Sequence, residues 1–205
     1  MKPGDLLLRH KEIWSAATNH SFLVAVRDGT LDAGIFATWL VQDYLFVADE
    51  FASQAHLLAR APRNDQKLLI SSLQGLEAEL SWFESHARTR NLALHAEHYP
   101  TTAAYCDFLN SLEQKPYAVV LTAIWAVERA YLESWQSALP GHSQYREYIE
   151  HWANAEFESF VNQLEGAAAN ALKAADVDSE AEAAFLKVAQ LEHDFWEMAW
   201  KGERQ

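Results

Sequence analysis

Half of the 205 residues are hydrophobic and 12% are aromatic, which is enough to bury one sizeable core over residues 1–205 without a second domain. A formal net charge of −13, with no segregated run of Lys and Arg, disfavours nucleic acid and anionic membrane surfaces as partners. The single cysteine, Cys106, excludes an intramolecular disulfide and suits a reducing, cytoplasmic setting. Between Met1 and Trp14 only the triplet Leu6–Leu8 precedes charged Arg9 and Lys11, which fits neither a signal h-region nor a membrane span.

Seven Gly and five Pro gather at a few places and leave long stretches of helix-forming composition, so an all-α fold of about seven helices is expected. The first runs from Asp5 to Val26 with a break near His20, closed by the turn Arg27-Asp28-Gly29-Thr30. A second spans Asp32 to Arg60 and stops before Pro62, and a third covers Asp65 to Leu94. A loop over His95 to Pro100 leads to a short fourth helix capped by Thr101 or Thr102 and ending near Glu113. Lys115-Pro116 opens the fifth and Pro140-Gly141 ends it. The sixth begins at Ser143 and continues past Leu164 into an Ala-rich stretch. The last runs from Ser179, with Glu182 completing a capping-box pattern, to Lys201.

Three of these helices carry an acid inside an otherwise apolar stripe. In the second, Phe36, Trp39, Leu40, Val47 and Phe51 enclose Asp43; in the fifth, Val120, Ile124, Val127, Tyr131 and Trp135 enclose Glu128. In the last, Phe185, Val188, Phe195, Trp196 and Ala199 enclose Glu192. An ionised carboxylate taken out of water without partners costs several kcal/mol, so each must be protonated, paired, hydrogen-bonded or open to an internal cavity. Three such positions suggest a shared polar pocket, and the eight Trp, seven Tyr and ten Phe either fill a helical core or sandwich a flat ring beside the acids.

The segments His20-Ser21-Phe22-Leu23, Arg27-Asp28-Gly29-Thr30-Leu31 and Phe36 to Tyr44, with its Gln42-Asp43 pair, resemble the opening elements of TenA (thiaminase II) proteins in order and spacing. Glu192 to Ala199 resembles the closing E-x-x-F-W-x-M-A helix of that family. Ala123 to Trp135 and His151 to Phe157 resemble its branch without the catalytic cysteine. The resemblance implies a heme-oxygenase-like helical bundle without haem, metal or other cofactor, acting on a 4-amino-2-methylpyrimidine. It makes Asp43 the group that binds the amino substituent and ring nitrogen, Glu192 the general acid and base, Tyr105 a hydrogen-bonding partner of the ring, and Phe195 a packing aromatic. Phe46 and Trp152 stand where many members have tyrosine. Ala123 falls at the position of the catalytic cysteine, so thiolate addition to the ring is in doubt, and Glu128 is the candidate for the compensating carboxylate. The expected substrates are salvage fragments, 5-aminomethyl or 5-formylaminomethyl pyrimidines, handled by a cytoplasmic homodimer or homotetramer. Cys106 reads as a small buried hydrophobe.

Three other readings compete with this one. A di-metal oxidase on the same bundle would draw on Glu79, His86, His193 and Glu197, but Trp200 stands where a third ligand is expected. A haem protein would use His20. A non-catalytic binder would keep the pyrimidine site without turnover. The remaining histidines, His98 among them, show no ligand spacing and read as surface or loop residues.

Overall fold

The computed structural model describes residues 1–202, and among these every regular element is a helix. In chain order they are α1 (Pro3–Arg9), α2 (Lys11–Thr18), α3 (Ser21–Asp28), α4 (Ala33–Arg60), α5 (Arg63–Thr89), α6 (Pro100–Ser111), a 3-10 turn (Leu112–Gln114), α7 (Tyr117–Ser137), α8 (Arg146–Trp152), α9 (Ala155–Lys173) and α10 (Asp178–Lys201). The all-α expectation is met, with more and shorter helices before Gly29 and between Arg146 and Lys173. The segment read as one helix from Asp5 to Val26 is three, because the backbone leaves helical geometry at His10, Asn19 and His20. His20 caps α3, its Nδ1 accepting the Phe22 N–H. The sixth helix divides at Ala153 and Asn154, and the Asn154 side chain caps α9 through the N–H groups of Glu156 and Phe157. The third ends at Thr89, five residues short of the expected Leu94.

Two starts also differ from the sequence reading. α6 begins at Pro100, where proline's fixed φ suits a first turn, so neither Thr101 nor Thr102 is the cap. α10 begins at Asp178, which puts Ser179 inside it, and Glu182 binds Arg9 and His10 instead of closing a capping box. The Asp28-Gly29-Thr30 turn behaves as read. Gly29 takes φ 71°, and the Thr30 N–H donates to the Ala25 carbonyl at 2.9 Å, the six-to-one bond of a Schellman end. A Cβ at Gly29 would sit 2.4 Å from the His142 ring, so both conformation and space require glycine.

The chain forms two compact units, Met1–Leu31 with Pro116–Trp200, and Asp32–Lys115 with Lys201 and Gly202. The first is organised on α7, whose residues from Ala118 to Glu128 are all buried, as expected for a helix apolar on every side. α2, α3, α8 and α9 pack on it, and α1 bridges α2 and α9. In the second unit, α5 and α6 pack on α4. Asp32 caps α4, its carboxylate accepting from the N–H groups of Gly34 and Ile35.

Candidate active site

All three acids singled out by helix periodicity are buried: Asp43 is 1% exposed, Glu128 7% and Glu192 3%. A fourth joins them. Glu50, 3% exposed, lies two turns along α4 from Asp43, so the two share one face. The apolar row drawn from Val47 to Phe51 passed beside Glu50, and the structure buries Glu50 while Phe51 stays half-exposed. Its signal in the sequence was the seven-residue step from Asp43, followed four residues on by Gln54. No Lys or Arg is among the buried residues described.

In the first unit Glu128 and Glu192 belong to helices that meet through their rings. Trp125 of α7 lies 6.2 Å from Phe185 of α10 and nearly parallel to it. Ten or eleven residues further along both helices, Trp135 meets Trp196 at 6.1 Å, and Tyr131 stacks on Trp196 at 6.0 Å. The turns bearing Glu128 and Glu192 both fall inside that bracket. Trp152, 2% exposed, stacks on Trp135 with centroids 5.0 Å apart and meets Tyr131 edge to face. Phe195 is buried beside Trp196. Ala123 is fully buried.

The second unit holds Asp43, Phe46 and Tyr105. Phe46 and Tyr105 bring α4 and α6 together with ring centroids 4.5 Å apart. Gln42, beside Asp43, is a latch. Its Nε2 donates to the Glu97 carbonyl at 3.2 Å, while its Oε1 accepts from the Tyr99 N–H at 2.9 Å and from the Thr102 hydroxyl at 2.7 Å. One buried amide thereby fixes the loop before α6 and the first turn of α6. Further along α4, Gln54 donates to Glu50 at 3.1 Å and accepts from the Ser72 hydroxyl at 2.5 Å. Burial pushes the Glu50 carboxyl up to about 7, against the smaller lowering effect of the Gln54 donor.

Cys106 is buried as expected, and burial, with Asp49 and Asp107 nearby, raises its thiol well above the usual range. His98, read as a surface or loop residue, is half-buried with Nε2 2.9 Å from Asp49 Oδ2. Of the residues that a metal oxidase would use, Glu197 places Oε1 3.3 Å from His20 Nε2, and His193 lies against Asp194. His86 lies with its ring centroid 4.1 Å from that of Trp82. His20 has both ring nitrogens engaged, Nδ1 as the α3 cap and Nε2 at Glu197. No described helix is long and apolar enough to cross a membrane.

Against known proteins, the model of the TENA/THI-4/PQQC family matches residues 7–202. A soybean (Glycine max) relative described as a probable bifunctional TENA-E protein is 32% identical, over 94% of this chain and 90% of its own. An aminopyrimidine aminohydrolase of Halalkalibacterium halodurans is 27% identical, over 96% and 94% of the two chains. Among solved structures, a TenA homologue from Pyrococcus furiosus superposes with a TM-score of 0.92 at 28% identity, covering 98% of this chain and all of that one. A TenA homologue from P. horikoshii, at 21% identity, shares the fold with a TM-score of 0.90.

Proposed function

The chain belongs to the TENA/THI-4/PQQC family, and we propose that it is an aminopyrimidine hydrolase of thiamine salvage that cleaves C–N bonds of 5-aminomethyl or 5-formylaminomethyl 4-amino-2-methylpyrimidine. The observation that carries this reading is the burial of Asp43, Glu50, Glu128 and Glu192 on α4, α7 and α10, with no buried Lys or Arg among the described residues. A fold that needed only stability would have apolar residues at these positions, since a buried acid brings desolvation cost and no packing gain. The full-length similarity to an aminopyrimidine aminohydrolase supplies the substrate class. Because the family match crosses both compact units, we take 1–205 as one functional domain.

In this reading Asp43 and Tyr105 recognise the pyrimidine edge, while Phe46, Trp152 and Phe195 present flat apolar surface to its faces. Glu128 and Glu192 divide the proton transfers. One, ionised, takes a proton from water as the oxygen attacks the exocyclic carbon. The other, protonated, gives its proton to the amine as the C–N bond breaks, so water and aminomethylpyrimidine become hydroxymethylpyrimidine and ammonia. With the formyl derivative the same water attacks the formyl carbon, and formate leaves the aminomethyl product. Ala123 offers no nucleophile and the Cys106 thiol is held protonated, so attack by water suits the residues present better than covalent catalysis.

A side-by-side mass-spectrometric assay of the purified protein tests the assignment. We expect turnover of the aminomethyl and formylaminomethyl pyrimidines and none of intact thiamine; inertness towards both fragments would overturn it. The acidic chain with one buried cysteine fits a cytoplasmic setting. Leu8 and Ile13 at the surface fit a homodimer or homotetramer, which sedimentation would resolve.

A further inference from the structure

Asp49 of α4, His98 of the loop before α6 and Cys106 of α6 are 49 and 8 residues apart in the chain. The fold nevertheless brings one ligand atom of each within 4.8 Å of the other two. From this convergence we propose that Asp49, His98 and Cys106 form a divalent cation site of the zinc class, separate from the aminopyrimidine chemistry, with a fourth position open to water.

The donor set is the first argument. The ion displaces the Cys106 thiol proton to solvent, and the resulting thiolate with an imidazole and a carboxylate suits a borderline-soft ion such as Zn²⁺ or Co²⁺; three protein ligands with one open position is a recurring zinc arrangement. Zinc bonds of about 2.0–2.3 Å in a tetrahedron set ligand atoms roughly 3.3–3.8 Å apart. Asp49 and His98, now 2.9 Å apart, must separate by less than about 1 Å, and the Cys106 sulfur already lies within 4.8 Å of both. Metal-free, the imidazole Nε2 and the thiol both lean on the Asp49 carboxylate, so the three groups hold one another where a cation would take over.

Preorganisation is the second argument. His98 lies between Glu97 and Tyr99, and Gln42 bonds the carbonyl of one and the N–H of the other. The histidine's backbone is thereby fixed on both sides by a single buried side chain, as a ligand on a loop requires. Cys106 is buried on a helix turn, whereas Asp49 and His98 side chains are each 36% exposed, which leaves an entry path from solvent.

Titration of the chelator-stripped, full-length protein with Zn²⁺ alone, by competition against a chromophoric chelator, tests the site. One equivalent per chain should bind, and Co²⁺ in its place should produce the near-ultraviolet charge-transfer absorption of a cobalt–thiolate bond. Cys106→Ser should abolish that absorption and weaken Zn²⁺ binding at least about tenfold. His98→Asn, a loop substitution that spares both helices, should weaken it comparably. Zn²⁺ should raise the melting temperature of the wild type but not of Cys106→Ser. Binding below one equivalent, absence of the cobalt–thiolate band, or variants that bind as tightly as wild type would each overturn the proposal. Because the readouts are metal binding and spectra, their failure leaves the pyrimidine assay untouched, and failure of that assay leaves these readouts untouched.

Discussion

Among buried residues, the neighbours of Glu128 and Glu192 from Trp125 and Phe185 to Trp135 and Trp196 are aromatic or aliphatic apart from Ser134, whereas the buried residues of α4 around Asp43 and Glu50 include Gln42, Ser53 and Gln54. The first unit keeps its acids on helices that meet through their rings. The second places amides beside its acids, Gln42 holding the loop before α6 and Gln54 donating to Glu50. Proton transfer demands an acid whose two protonation states are close in energy; recognition demands one held still. On the proposed reading, Glu128 and Glu192 carry the chemistry and Asp43 the binding.

Substitution at these three positions puts that division at risk most directly. Glu192→Gln and Glu128→Gln should each lower kcat by about 10²–10⁴-fold with unchanged circular dichroism, while Asp43→Asn should act mainly by raising KM. A KM effect alone from Glu192→Gln, or a kcat effect alone from Asp43→Asn, would reverse the roles, and steady-state kinetics on the aminomethyl pyrimidine separates the outcomes. The ring lattice of the first unit makes the next largest claim. Trp135 is fully buried between Trp152 and Trp196, and Trp135→Ala should cost about 3–5 kcal/mol in urea unfolding. A loss under about 1 kcal/mol would show that the rings are not packed as a core.

Glu50 sharpens the comparison through pH. Its carboxyl ordinarily titrates at 4.5, and the fold moves it to about 7. Below 4.5 folded and unfolded chains both hold the proton. Between 4.5 and 7 the unfolded chain releases it first, so stability falls as pH rises through this window and levels off above it. Glu50→Gln keeps an acceptor for Gln54 and cannot ionise. It should match the wild type at the acid end and exceed it by up to about 3 kcal/mol above pH 7, as read from denaturant midpoints. Parallel curves for the two proteins would show that Glu50 ionises freely.

Helix periodicity was enough to find Asp43, Glu128 and Glu192, because a 3.6-residue repeat states which positions face inward and an acid there is visible as an exception. It also located the long central helices to within a few residues. Glu50 is not legible in that repeat because Phe51, one position on and apolar, continues the stripe equally well, while Glu50 stands at the seven-residue step from Asp43. The divisions at His10 and Asn154 escaped since neither proline nor glycine marks them; one side-chain cap and local backbone geometry do. Asp49, His98 and Cys106 could not have been grouped at all. Their proximity exists only because α6 packs on α4 and Gln42 holds the intervening loop.

The smallest effects concern the caps, and they bear on whether the two compact units behave as one domain. Asp32 caps α4 in the second unit with two accepted N–H bonds, and Asn154 caps α9 in the first with two more. Replacing either by Ala should cost about 1 kcal/mol, because two N–H groups lose an acceptor and water replaces it only in part. A cooperative chain would register both losses in the same transition: Asp32→Ala and Asn154→Ala would each move a single calorimetric peak by about 2–4 °C without broadening it. Independent units would respond differently. Each substitution would then shift only the transition of its own helices, and the peak would split or widen. Because each cap belongs to a different unit, Asp32 exposed and Asn154 half-buried at a helix start, neither substitution disturbs a core, so calorimetry of the pair reads cooperativity directly. A single displaced peak in both variants is the expected result for a family fold that runs through both units.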